Sequence, residues 1–234
     1  MKIHEFQAKD LLREYGIPVT EGEVARTPDK TARIAQRMGF PVVLKAQVHS
    51  GGRGKAGGVK LVKTAGDLYS TAERILGLTI NGFPVRRLLV TPAVTIAQEV
   101  YLSVLLDRAT RKALFVGCTA GGIEIEVTAK ESPEQILRFE VLAHELTHLP
   151  TDAVQAFARK LFSSHALAVQ AEDIIQKMGR LLVEKDCSLV EINPLIADDT
   201  GHVLALDAKI AFDDNALFRH PDLLLLRDME SEDL

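Results

Sequence analysis

SLVEINPLIADDTGHVLALDAKI, residues 188–210, carries a polar constellation at strand spacing. Two apolar-rich runs, 189–196 and 203–210, flank Asp198-Asp199-Thr200-Gly201, which reads as a hairpin loop. Pairing centred on Thr200 sets Asn193 opposite Asp207 and Glu191 opposite Lys209. Side chains alternate faces along a strand, so these four residues share one face. Val190, Ile192, Leu204, Leu206 and Ala208 are expected to share the other face and meet a core. Two acids, an amide and a lysine on one sheet face mark a candidate site. The competing reading is a solvated hairpin closed by one salt bridge.

The rest of the chain bounds that site. Its 234 residues are 47% hydrophobic and 26% charged, enough for one large domain or two small ones. A net charge of −4 gives no broad basic surface, which argues against a nucleic-acid partner. The two cysteines, Cys118 and Cys187, sit in apolar runs without metal-ligand spacing and read as reduced, buried thiols. No apolar run approaches the ~20 residues of a membrane span. The start, MKIHEFQAKDLL, lacks a signal-peptide core. A soluble, cytoplasmic protein with no membrane partner is expected.

In chain order, 4–15 reads as a helix stopped by Gly16, and Pro28–Met38 as a second, stopped by Gly39. Residues 41–48 form a nearly continuous apolar run broken by Lys45, a buried strand with one lysine aimed at something. SGGRGKAGG (50–58) follows, then a strand at Val59–Val62 and a helix at 67–76. Strands are expected at 87–91, and at 99–107 and 112–119 paired about Arg108-Ala109-Thr110. Gly121-Gly122 is read as opening a short helix, and Ser164 as capping a long amphipathic one.

The glycine-rich loop carries five glycines within 51–58, with Arg53 and Lys55. Glycines admit an anion close to backbone amides, and the cations neutralise phosphate. The loop is neither a Walker loop nor a GxGxxG opening a helix, so a hairpin-type flap over phosphates is the reading. A merely mechanical loop is the alternative. Lys45, on the strand entering the flap, is placed to reach the same phosphates. Mg²⁺ prefers hard oxygen ligands, and Asn193 and Asp207 offer two. Together these parts describe a nucleotide phosphoryl-transfer site.

One motif competes. His144-Glu145-Leu146-Thr147-His148 matches the zinc-protease signature HExxH, which must lie in a helix to aim both histidines at one metal. Pro150 disfavours helix at Leu149, and Glu172 is the only convenient third ligand, so the match reads as a loop coincidence.

Five segments, HEFQAKDLL (4–12), KAQVHSGGRGKAGGVK (45–60), GGIEIE (121–126), EINPL (191–195) and ALDAKIAFDDNALFRHPDL (205–223), appear in family order. They resemble the beta subunit of succinyl-CoA synthetase, the ADP-forming succinate–CoA ligase, in its N-terminal ATP-grasp domain. The malate–CoA ligase beta subunit is a close sibling. The resemblance implies an α/β (α+β) ATP-grasp fold whose two subdomains clamp a nucleotide: a larger one from 1–18 plus 103–234, and a small one from 19–102. It implies that Lys45 and the Gly52-Arg53-Gly54 flap hold ATP phosphates, and that Glu99 contacts the adenosine side. Asn193 and Asp207 would ligate Mg²⁺. Glu191 would be catalytic, standing near a phosphohistidine of the partner alpha subunit in a heterodimer or heterotetramer. In the full complex ATP, succinate and CoA give ADP, phosphate and succinyl-CoA.

The chain departs from the family in having Thr91 where an acid is usual and Ala120 where a polar residue often precedes the glycine pair. The resemblance implies a second, flavodoxin-like domain beyond these 234 residues, so nucleotide binding without turnover by this stretch alone is expected. A non-catalytic nucleotide-binding or assembly module is the reading from another class.

Overall fold

Capping residues and glycines set where the elements start and stop in this computed structural model, which describes residues 1–107 and 110–231. Helix α1 (Glu5–Glu14) opens where the Gln7 side chain accepts the His4 amide, 2.9 Å, and stops ahead of Gly16 at φ +74°. The chain divides into two compact units. The smaller takes residues 4–7, 20–94 and the segment from Asp228; the larger takes 1–3, 8–19 and 95–227.

In the smaller unit, β1 (Glu23–Ala25) leads into α2 (Pro28–Met38). Thr27 caps α2 by accepting the Lys30 amide, proline occupies its first turn, and Gly39 at φ +84° ends it. Strands β2 (Val42–Ala46) and β3 (Val59–Val62) follow, then α3 (Leu68–Leu76), a minor hairpin of β4 (Thr79–Ile80) and β5 (Phe83–Pro84), and β6 (Leu88–Pro92). The sheet is antiparallel in the order β1-β6-β2-β3. Ile34 and Ala35 of α2 and Leu68, Ala72 and Ile75 of α3 bury against Val42, Leu44 and Val90. Leu68, Ala72 and Ile75 recur at steps of four and three, and Ile34 and Ala35 lie three and four residues after buried Thr31, the spacing that gives each helix one stripe for the sheet.

The larger unit is built on long strands. Strands β7 (Ile96–Asp107) and β8 (Lys112–Cys118) pair antiparallel as expected, although Arg108 and Ala109 of their turn lie outside the described residues. Helix α4 (Ile125–Glu131) starts four residues after Gly121, because Gly122 at φ +64° holds the glycine pair in a loop rather than in the first turn. Next come β9 (Leu137–Leu142), α5 (Thr151–Leu161), α6 (His165–Glu184), β10 (Cys187–Asp198), β11 (Val203–Ala205), β12 (Ala208–Phe212) and a short α7 (Pro221–Leu224). The sheet runs β11-β10-β7-β8-β9, with β12 also on β10. Helix α6 buries Ala171, Ile174, Ile175, Met178, Leu181 and Leu182. Ser164 precedes it without a side-chain capping bond, contrary to the cap expected from sequence. Among the described residues no helix is long and apolar enough to cross a membrane.

The HExxH segment has a packing role. His144 lies in a short 3-10 turn (Ala143–Glu145), so the two histidines do not sit on one α-helix; both are exposed while Leu146 and Leu149 are buried. Gln176 of α6 grips Leu149 twice, accepting its amide and donating to its carbonyl, each at 3.1 Å. Gly179 lets this segment close on α6, since a Cβ there would lie 2.6 Å from the Leu146 carbonyl oxygen. Backbone cannot yield as a side-chain tip can. Gly179→Ala is expected to destabilise the protein by about 1–3 kcal/mol. Thermal unfolding checks it: Tm should fall by roughly 2–4 °C per kcal/mol in a chain of this size, and an unchanged Tm contradicts the close contact.

Candidate functional site

The predicted hairpin register is observed: Glu191 pairs with Lys209, Leu195 with Ala205, and the Asn193 amide donates to the Asp207 carbonyl at 3.1 Å. Asp198 shapes the turn by accepting the Thr200 and His202 amides at 3.0 and 2.8 Å, and these bonds hold its carboxyl below the usual range. The expected faces hold for only half of the hairpin. Across β10 and β7, Ile192 pairs with Leu102 but Leu195 with Val100, so β10 carries one extra residue at Asn193-Pro194. Beyond this bulge the alternation inverts. Val203 and Ala205 enter the core, and Leu204 and Leu206, expected there, are only half-buried.

The bulge gives Asn193 its setting. Its side-chain nitrogen donates to the Ile123 carbonyl at 2.9 Å, while its Oδ1 is buried without a hydrogen-bond partner. The Gly121–Ile123 loop packs here because Gly121 has no side chain; a Cβ would meet Pro194 at 2.8 Å and Glu99 at 2.9 Å. Glu99, exposed on β7, thus lies beside the glycine pair. Asp207 accepts the Ala208 amide at 2.8 Å through Oδ1. A buried amide oxygen with no donor fits a hard cation, as does the Asp207 carboxylate in the bend between β11 and β12. Among the described residues no trio of His, Cys, Asp and Glu is grouped for a metal. A cation on this pair would therefore complete its shell with ligand and water oxygens, as Mg²⁺ does.

Glu191 stands on the polar face before the bulge. The Tyr101 hydroxyl lies 3.4 Å from its Oε2 and 3.0 Å from Ser103 Oγ, and Tyr101 and Ser103 are both buried. Desolvation raises the Glu191 carboxyl; Lys209 opposes that, the Glu126 charge adds to it, the Tyr101 bond opposes it and the Asp207 charge adds again. Burial likewise pushes the Tyr101 hydroxyl up. Period-two reading of β7 could have found Tyr101 and Ser103, which alternate with core Val100, Leu102 and Val104.

In the smaller unit, Lys45 lies on β2 between Val59 of β3 and Leu89 of β6 and is 5% exposed. Its ammonium meets the Glu5 carboxylate at 2.8 Å, and Arg53 meets the same carboxylate at 2.7 Å. Sequence reading missed Glu5 as a partner, since nothing local ties it to a lysine forty positions on. The glycine loop joins the antiparallel strands β2 and β3 as a folded turn. Gly58 donates to the Arg53 carbonyl at 2.8 Å and Ala56 to Gly52 at 3.0 Å, with Gly52 and Gly57 at positive φ. Nothing lies within 4 Å of a Cβ built at Gly51, Gly52 or Gly54, so an anion could approach their backbone closely. Thr91 on β6 is 1% exposed, with a hydroxyl lacking a partner.

The family profile of the ATP-grasp domain matches residues 2–197. The chain is 46% identical over 234 residues to the beta subunit of the ADP-forming succinate–CoA ligase of Bacteroides thetaiotaomicron, covering all of this chain and 62% of that protein. It is 44% identical to the beta subunit of the GDP-forming ligase of Thermus thermophilus, covering 99% of this chain and 61% of that one. The chain thus spans about three fifths of these relatives. Among solved structures, the dinucleotide forming acetyl-coenzyme A synthetase 1 of Ca. Korarchaeum cryptofilum, in complex with coenzyme A and Ca-AMPCP, has a TM-score of 0.74 at 19% identity. That match covers 91% of this chain and 93% of the other, and it supports the fold. With the profile running through both the glycine loop and the Asn193 bulge, the chain belongs to the ATP-grasp family.

Proposed function

We propose that this chain is the nucleotide-binding part of a succinate–CoA ligase beta subunit. The whole enzyme would convert ATP, succinate and CoA to ADP, phosphate and succinyl-CoA through a phosphohistidine on an alpha subunit. The observation that carries the nucleotide reading is the buried, unpartnered Asn193 Oδ1 across the hairpin from Asp207. An orphaned acceptor of this kind costs free energy unless a ligand completes it.

In this reading the small and large units are the two ATP-grasp subdomains. Lys45, Arg53 and the backbone at Gly52 and Gly54 take phosphate oxygens, and Glu99 takes the adenosine side. Asn193 and Asp207 would hold Mg²⁺, which would supply charge neutralisation for the transferred phosphoryl group. Glu191 faces the alpha-subunit histidine, and its half-buried carboxylate would orient the imidazole by accepting its N–H. Two buried free thiols, Cys118 and Cys187, suit a reducing compartment, and we place the protein in the cytoplasm.

Two tests follow from these assignments. In calorimetric titrations with Mg-ATP and Mg-GTP, Lys45→Ala should weaken nucleotide binding about ten- to a hundredfold, the range for a lost charge-assisted hydrogen bond. Asp207→Ala should abolish the gain in affinity that Mg²⁺ gives. Equal binding by both variants and wild type would remove the site.

The Glu191 carboxyl provides the second test. Its pKa is raised in the fold, so the folded state holds the proton more tightly than the unfolded chain. Stability is therefore lost as pH rises from the unfolded carboxylate value, about 4.3, through the folded value. Glu191→Gln should raise Tm at neutral pH, and the gain should vanish as pH falls toward 4. A gain independent of pH would show that Glu191 is not held under desolvation.

A further inference from the structure

Glu5 sits at the first position of α1 with its side chain only 2% exposed, yet it carries a carboxylate. Its two oxygens are divided between two cations. Oε1 accepts Lys45 Nζ at 2.8 Å, and Oε2 accepts Arg53 Nη1 at 2.7 Å and Gln47 Nε2 at 3.2 Å. Gln47 also accepts the Phe6 amide through Oε1 at 3.2 Å, which ties it to the same helical turn. Arg53 Nη1 donates additionally to the Ala46 carbonyl at 2.9 Å. Lys45 is buried as well, its side chain 7% exposed, and Arg53 is partly buried, its side chain 12% exposed.

A buried charge is tolerated when it is paired and hydrogen-bonded. Without the carboxylate, Lys45 and Arg53 would lose the acid they share. With it, two long side chains that otherwise sample many rotamers are held in one geometry. Ammonium and guanidinium groups carry further N–H donors beyond those turned to Glu5. A bond to Glu5 does not use every donor of an ammonium or a guanidinium, so holding Glu5 and taking phosphate oxygens are compatible.

We propose that Glu5 is a positioning residue of the polyphosphate subsite: by holding Lys45 and Arg53 together it pre-orients both cations for a nucleoside polyphosphate. The inference rests on the nucleotide reading above. Pre-orientation raises affinity because the ordering of the side chains is completed before the ligand arrives.

The test is calorimetric titration of Mg-ATP into wild type, Glu5→Gln, Glu5→Asp, Lys45→Ala and the Glu5→Gln/Lys45→Ala double variant. Glu5→Gln keeps the shape and loses the charge, and should bind about tenfold more weakly. Glu5→Asp keeps the charge and should fall in between. A role resting on shape alone would reverse that order and overturn the proposal. Because Glu5 acts through Lys45, the double variant should lose less than the product of the two single losses, and a fully additive loss contradicts the proposal. Should Glu5→Gln fail to fold, Glu5→Asp carries the test, and wild-type affinity in that variant contradicts it. If Lys45→Ala itself binds like wild type, the nucleotide reading fails. If Lys45→Ala is weak and Glu5→Gln is normal, only the role of Glu5 fails.

Discussion

One extra residue in β10 sets the chemistry of the larger unit. Between the Ile192–Leu102 and Leu195–Val100 pairs the strand takes three steps against two, and Asn193 and Pro194 fill the difference. Before the bulge, Glu191 lies on a polar face with Tyr101 and Ser103 while Val190 and Ile192 fill the core. After it, Leu195 and Ala197 fill the core. A regular strand would put Asn193 in step with Glu191 and Leu195 on the same polar face. The bulge lets both halves of β10 bury apolar side chains and leaves one amide oxygen buried without a donor. Gly121 completes the arrangement, since any side chain there would collide with Pro194 and Glu99.

The smaller unit solves a different electrostatic problem. Phosphate recognition calls for cations held in place, and burying a lone lysine costs far more than pairing it. Glu5 meets that requirement for Lys45 and Arg53 at once. The glycine turn that carries Arg53 adds exposed main chain. Its left-handed Gly52 and Gly57 and the open space about Gly52 and Gly54 leave backbone where an anion can approach. The buried acid and the exposed glycines play complementary parts, one fixing side chains and the other presenting main chain.

Much of this was legible from local pattern. Pro28–Met38 and Val59–Val62 have the bounds expected, because a cap with a stop glycine, and a short apolar run after a loop, leave few alternatives. The hairpin register could be read because Asp198–Gly201 is a strong turn and fixes the partner of every residue on both arms. The faces of Leu204 and Leu206 could not, since strand alternation assumes regular pairing and the bulge arises against β7, far away in sequence. That the helix opens at Ile125 and not at the glycine pair is not legible, because the positive φ of Gly122 has no sequence mark beyond glycine itself. Glu5 stayed hidden for the same reason as the bulge: its partners lie in β2 and the glycine turn, and a carboxylate at a helix start already has an ordinary explanation.

The most direct test of the Asn193–Asp207 cation pair is anomalous diffraction from crystals grown with Mn²⁺ and a non-hydrolysable ATP analogue. The expected result is a manganese peak within bonding distance of Asn193 Oδ1 and an Asp207 carboxylate oxygen, with the remaining ligands from phosphate and water. A bound nucleotide whose metal peak lies away from both residues would contradict it.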